Sequence, residues 1–207
     1  MTIGVVIASY KYGHLASQAI DSVISQTRKA DKIWFVDDGI GDCKHLQSIY
    51  PKVEYIFRDT NMGIVDNFQD MLNRVNTDHV MFLGADNWLR ADTLELLEGN
   101  ISDIVLYNII VTGELRDEIT KRHPDEVQKY RGDWYWNRKG HHGSMLYNTE
   151  LAKKVGGYNA GYGKRTLEDL SLYERMVQAG AKKKHVPEGL LYYRRHRENY
   201  NPCGLTF

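Results

Sequence analysis

Ile3-Gly4-Val5-Val6-Ile7-Ala8 runs into Ser9-Tyr10, Ile33-Trp34-Phe35-Val36 into Asp37-Asp38-Gly39, and His79-Val80-Met81-Phe82-Leu83 into Gly84-Ala85-Asp86-Asn87. Three times a short apolar run stops on a polar turn. An unbroken apolar run is what a strand buried on both faces requires. Helical spacing lies between the runs. Leu15, Ala16, Ala19, Ile20, Val23 and Ile24 predict a helix over 15–24, and Ile64, Phe68, Met71, Leu72 and Val75 another over 64–75. Val53–Phe57 reads as a further strand, and Asp92 as the cap of a helix through Leu97. Strand–helix alternation of this kind implies βαβ units and a parallel sheet. Right-handed crossovers set all the strand carboxyl ends on one edge, where open α/β sheets bind ligands. The three polar clusters fall on that edge.

The second half is less regular. Ile104–Val111 predicts a long strand, Ser144–Tyr147 a short one, Leu167–Ala179 a helix ended by Gly180, and Leu190–Tyr193 a last strand before a basic tail. Residues 113–140 are polar without a clear period and read as a mobile loop region. The expected organisation is one α/β domain, with residues 1–103 as a Rossmann-like half and 104–207 as a less regular half. The first half holds nine Lys/Arg against fifteen Asp/Glu, the second eighteen against twelve, within a net charge of zero. A basic second half suits an acidic partner, or is only a solvated surface. No apolar run approaches the roughly 18 residues of a membrane span. The start lacks the pattern of a signal peptide, and Cys43 and Cys203 make no metal or redox spacing. A cytoplasmic protein without disulfides is expected.

Neither G-x-G-x-x-G nor G-x-x-x-x-G-K-[ST] occurs. That argues against dinucleotide dehydrogenases and P-loop enzymes. A nucleotidyltransferase would need a glycine-rich, basic first loop, which 8–14 does not supply. The binding edge is instead rich in carboxylates, and carboxylates repel phosphates unless a metal ion stands between them. Hard oxygen ligands favour Mg2+ or Mn2+ shared with substrate phosphate oxygens. From the residues alone, the reading ends at a metal-assisted nucleotide or phosphate enzyme.

A wider set of motifs carries it further. Ser9-Tyr10, Ser22-Val23-Ile24-Ser25-Gln26-Thr27, Val36-Asp37-Asp38-Gly39, Asn61-Met62-Gly63, Phe82–Leu89, Gly156-Gly157-Tyr158, Leu167-Glu168-Asp169 and Tyr193-Arg194-Arg195-His196 occur in that order. The ordered set, covering nearly the whole chain, resembles the family-2 glycosyltransferases, in particular compact bacterial polysaccharide and spore-coat types. The resemblance implies a GT-A fold with a nucleotide-sugar half and an acceptor half. It also implies inverting transfer from a nucleotide-diphosphate sugar to a hydroxyl. The donor expected is a UDP-sugar, with dTDP- or GDP-sugars behind it.

Residue by residue, the resemblance assigns Ser9, Tyr10, Asp37, Asp38 and Asn67 to the nucleotide, with Tyr10 flanking the base and Asp38 accepting from the ring N–H. It assigns Asp86 and His196 to the metal, and Asp169 to the general base, with Glu168 orienting the site. Gly84 or Ala85 stands where the family often has a further acid, which leaves the metal site reduced. Asn87, Trp88, Trp134, Trp136, Lys164, Arg165 and Arg194 are candidate contacts to donor or acceptor. Plainer readings stand beside these. Asp37-Asp38-Gly39 makes an ordinary strand-ending turn, Glu168-Asp169 suit a helix start, and the tryptophans suit a small core. The acceptor is a saccharide or other hydroxyl compound, and an acidic one such as modified DNA is compatible with the charge. The rival reading is a non-catalytic nucleotide- or glycan-binding module on a degenerate GT-A scaffold.

Overall fold

A computed structural model describes residues 1–136, 144–158 and 168–199. The apolar runs form β1 (Ile3–Ser9), β2 (Lys32–Asp37), β3 (Glu54–Phe57) and β4 (His79–Gly84). They lie side by side as β3-β2-β1-β4, parallel throughout. Their periodic connections form α1 (Ala16–Ile24), the short α2 (Leu46–Ile49) and α3 (Ile64–Arg74). The sheet continues through β9 (Met145–Asn148), β6 (Ile104–Thr112) and β10 (Lys183–Arg194) to β5 (Trp88–Leu89). β10 runs parallel to β6, whereas β9 is antiparallel to both β4 and β6. The one sheet thus passes through both halves of the chain.

Alternation along the strands divides the core in two. Val5, Ile7, Phe35, Met81 and Leu83 face α1 and α4 (Thr93–Gly99), meeting Ala19, Ile20, Val23, Leu94 and Leu97. Val6, Trp34, Val36, Val80 and Phe82 face α3, α6 (Thr149–Lys154) and α7 (Glu168–Gln178), meeting Phe68, Met71, Leu72, Leu172 and Met176. Helices on both faces explain why these strands carry apolar residues at every position.

Three expectations are corrected. Residues 113–136 are not irregular: they hold α5 (Arg116–Arg122) and the hairpin of β7 (Val127–Tyr130) and β8 (Asp133–Trp136). Arg131 and Gly132, both at positive φ, make the two-residue turn such hairpins favour. Only one face of this four-residue ladder is buried, which is too little to register as a period. The last strand begins at Lys183 rather than Leu190. Its first half is lysine-rich and exposed, and the pairing is interrupted between Val186 and Leu191. Asp92 makes no side-chain cap to α4, because its carboxylate takes Arg90 Nε at 2.5 Å and Nη2 at 3.0 Å.

Candidate active site

The carboxyl ends of β1, β2 and β4 border a cavity of about 320 Å3. Ser9, Tyr10, Asp38, Asn67, Asp86 and Asn87 line it, as the sequence expects; so do Tyr12, Asn61, Tyr193 and Asn199.

Asp38 follows β2, on one side of β1, and is 4% exposed. Its Oδ1 accepts from the Met62 backbone N–H at 3.0 Å, and its Oδ2 from Asn61 Nδ2 at 3.1 Å. Burial pushes the carboxyl above its ordinary range, against the lowering pull of the Met62 N–H and the Arg58 charge. Asn67, also buried, accepts from Arg58 Nε at 3.1 Å, while Arg58 Nη2 is held by Asp70 at 2.6 Å. This pairing fixes which end of the Asn67 amide is oxygen, so its NH2 group is turned away from Arg58. Tyr10 is the exposed wall, with the Lys11 ammonium 5.0 Å from its ring centre.

Asp86 follows β4, on the other side of β1, and is 6% exposed. Asn87 Nδ2 donates to its Oδ1 at 2.9 Å. Asn199 Nδ2 donates to Oδ2 at 2.8 Å, and His196 Nε2 faces that oxygen at 3.3 Å. The expected basic tail therefore folds back over the cavity. Tyr12 reinforces it, donating its hydroxyl to the Glu198 carbonyl at 3.1 Å and meeting His196 edge-on at 5.5 Å. Arg194 braces the same turn: its backbone N–H donates to Asn87 Oδ1 and its Nε to the Asp86 carbonyl, each at 2.9 Å. A Cβ on Gly84 would stand 2.7 Å from Asp86 Oδ1 and 2.9 Å from Asn87 Nδ2. With Asp86 so placed, position 84 has no room for a second acid.

Some expected residues sit elsewhere. Asp37 does not line the cavity; its carboxylate is spent on the backbone N–H groups of Ile40, Gly41 and Cys43 at 3.1–3.2 Å, so it clamps the turn that presents Asp38. With Asp42 and Cys43 it forms a cluster of metal-ligand types. Burial pushes the Cys43 thiol far up, and the thiol hydrogen-bonds Ser9 and Asp42. A protonated thiol beside a carboxylate occupied by amides is a turn clamp rather than a cation site. Trp136 is buried under the hairpin, donating Nε1–H to Glu126 at 2.8 Å and packing on His123 at 4.8 Å. Trp134 packs against the same core. Neither borders the cavity. Trp88 stacks on Tyr192 at 5.0 Å with the Arg194 guanidinium 4.8 Å from its ring. Lys164 and Arg165 lie outside the described residues.

Glu168 and Asp169 open α7, on the same face of the sheet as α3. Phe68, a cavity wall, meets Tyr158 edge-on at 5.4 Å. Tyr158 shares a 2.9 Å hydrogen bond with Tyr147. Burial raises both phenols, and the nearby Asp169 charge raises them further. Neither acid is among the residues lining the cavity. The contributions of Asn199 and Tyr12 had no local signal: the resemblance brings His196 to Asp86, but which other residues the returning tail meets depends on its packing.

The family profile described as Glycosyl transferase family 2 matches residues 4–170. The chain belongs to glycosyl transferase family 2. A Streptococcus pneumoniae serotype 4 protein, "Glycosyltransferase GlyA", is 29% identical over 100 residues, 46% of this chain and 14% of that protein. S. aureus TarS superposes with a TM-score of 0.68 at 15% identity, over 94% of this chain and 37% of TarS. Its 1–349 fragment in complex with UDP-GlcNAc gives 0.70 at 12% identity, over 96% of this chain and 60% of the fragment. The family-2 chain therefore has the GT-A fold and spans less than two thirds of each of these relatives. Among its described residues no helix is long and apolar enough to cross a membrane.

The family-2 metal position is tested by the donor set at Asp86. The nearly buried Asp86 carboxylate lines the cavity, and the His196 imidazole nitrogen, which is not itself among the lining residues, approaches it at 3.3 Å. Among the described residues, no arginine or lysine pairs with this carboxylate. The carboxylate oxygen suits Mn2+ or Mg2+, and the imidazole nitrogen favours Mn2+ of the two, so the residues fit such an ion.

Proposed function

We propose that this chain is an inverting glycosyltransferase that moves a sugar from a UDP-sugar to an acceptor hydroxyl. The observation that carries this is one cavity lined by two nearly buried carboxylates, Asp38 just after β2 and Asp86 just after β4, the strands on either side of β1. They suit the two ends of a nucleotide diphosphate. Asp38 is an acceptor for the N3–H of uracil, and the Asn67 NH2 group is a donor for a ring carbonyl. Cytosine presents an acceptor at N3 and does not match Asp38.

Asp86 and His196 would hold the divalent ion, which when bound neutralises charge on the departing diphosphate. Asp169 is the general base. The acceptor oxygen bonds to the anomeric carbon, its proton passes to the Asp169 carboxylate, and the bond from that carbon to the UDP oxygen breaks with its electron pair leaving on UDP. Attack opposite the leaving group inverts the centre. The placement of α7 on the face of the sheet covered by α3, which lends Asn67 and Phe68 to the cavity, supports this role, and Glu168 orients the site. The acceptor half is residues 104–207, and the acceptor is a saccharide or other hydroxyl compound. The reaction belongs to polysaccharide-type synthesis in the cytoplasm, where nucleotide sugars are made.

The test is thermal stability with UDP, dTDP, GDP and CDP, with and without Mn2+, followed by release of UDP from UDP-GlcNAc, the donor bound by the TarS fragment. A ligand at 100 times its Kd stabilises the fold by about 2.7 kcal/mol. A UDP-selective, Mn2+-enhanced shift with UDP release supports the reading. UDP binding without release or transfer would favour the binding-module alternative, and no shift with any nucleotide would overturn the reading.

A further inference from the structure

Arg195 is 4% exposed, the only arginine or lysine buried to this degree among the described residues. Its backbone is fixed. The N–H donates to the Thr112 carbonyl at 2.8 Å, and its carbonyl accepts from Leu115 at 3.1 Å. Gly113, at φ +89°, lies so close that an added Cβ would strike the Arg195 carbonyl. Among the described residues, no carboxylate pairs with its side chain. Nη1 donates to the Tyr193 hydroxyl at 3.0 Å, the guanidinium lies 5.4 Å from the Tyr193 ring centre, and buried Nε has no hydrogen-bond partner among the described residues. A phenol and a ring face offset part of the desolvation of a buried guanidinium, but neither supplies the opposite charge it lacks.

Tyr193 is itself a wall of the cavity. The two charged residues lining that cavity, Asp38 and Asp86, are acids, which repel an incoming diphosphate. A fixed cation just behind the wall opposes this repulsion, and a low-dielectric setting strengthens it. We infer that Arg195 is the built-in counter-charge for a diphosphate anion in this cavity, acting from behind Tyr193. The inference rests on the nucleotide-sugar reading, and adds a cation that belongs to the protein rather than to the metal.

Titration calorimetry in EDTA with inorganic pyrophosphate, UDP and uridine tests it on the wild type, Arg195→Met and Arg195→Lys. Arg195→Met is expected to lose at least about tenfold in affinity for pyrophosphate and UDP, and to leave uridine unchanged. Arg195→Lys should fall between the two. Without ligand, Arg195→Met should melt no lower than wild type, because it removes a buried unpaired charge. If pyrophosphate affinity is the same in all three proteins, or uridine is lost in step with UDP, the inference is overturned. Should wild type bind pyrophosphate in an Arg195-dependent way but not UDP, the nucleotide reading fails and the anion site stands.

Discussion

Replacing Asp38 by asparagine tests the base-reading end of the site. The carboxylate accepts from Met62 N–H at 3.0 Å on one oxygen and from Asn61 Nδ2 at 3.1 Å on the other, with the Gly63 N–H also lending a hydrogen bond. An asparagine keeps only one acceptor, so an NH2 group must face either Asn61 or the base. A hydrogen bond to a charged group contributes about 1.5–3 kcal/mol. UDP affinity should therefore drop about 10- to 100-fold. CDP, whose N3 accepts, should not fall with it, so the UDP-to-CDP preference collapses. The pH dependence has a definite sign. Burial raises the Asp38 carboxyl in the folded state. A raised carboxyl stabilises the fold below its unfolded value of about 3.9, and that contribution is lost as pH climbs through the folded value. At pH 7 the ionised carboxylate weighs against the empty fold, so Asp38→Asn should be neutral or stabilising without nucleotide. Wild-type UDP affinity should decline below the raised folded value, where the protonated carboxyl no longer accepts at both oxygens. Calorimetry with UDP and CDP across pH, with urea melts alongside, reads all of this. A variant that keeps the wild-type UDP-to-CDP ratio would refute the assignment of Asp38 to the base.

Gly84→Ala puts a Cβ 2.7 Å from Asp86 Oδ1. The Mn2+-dependent part of the UDP thermal shift should disappear while the metal-free part remains; an unchanged Mn2+ response would mean that Asp86 is not the ion's ligand. Asp169→Asn should lower kcat by about 10²- to 10⁴-fold with UDP affinity unchanged, and near-wild-type turnover would remove Asp169 as the base. Trp136→Ala, emptying the buried face of the hairpin, should destabilise the fold by about 3–5 kcal/mol in urea melts yet leave UDP affinity of the folded protein intact. A selective loss of acceptor affinity instead would restore Trp136 to the site.

The parts of this molecule that were legible are those whose cause is local. β1, β2 and β4 are written as apolar runs because helices cover both their faces, and strand ends on one edge bring Asp38 and Asp86 to one cavity without any contact having to be foreseen. Asn199 is different: it meets Asp86 across 113 residues, and only the resemblance, by setting His196 beside Asp86, implies that the tail returns. Asp37 was legible only as an acid in the right turn, since its neighbour's carboxylate faces the cavity while its own is consumed by backbone amides. The run Arg194-Arg195-His196-Arg197 makes the sharpest case. Composition reads it as a solvated basic stretch. Continued strand alternation gives another reading, because β10 extends to Arg194 and successive side chains leave opposite faces. Arg194 goes with Tyr192 to Trp88, and Arg195 goes with Tyr193 into the interior beside the cavity. The signal was the period of two, and it was hidden because charge at every position masks a pattern that apolar residues would have displayed. Two adjacent arginines of equal charge thus acquire unlike roles, one bracing the Asp86 turn and one buried behind the cavity wall.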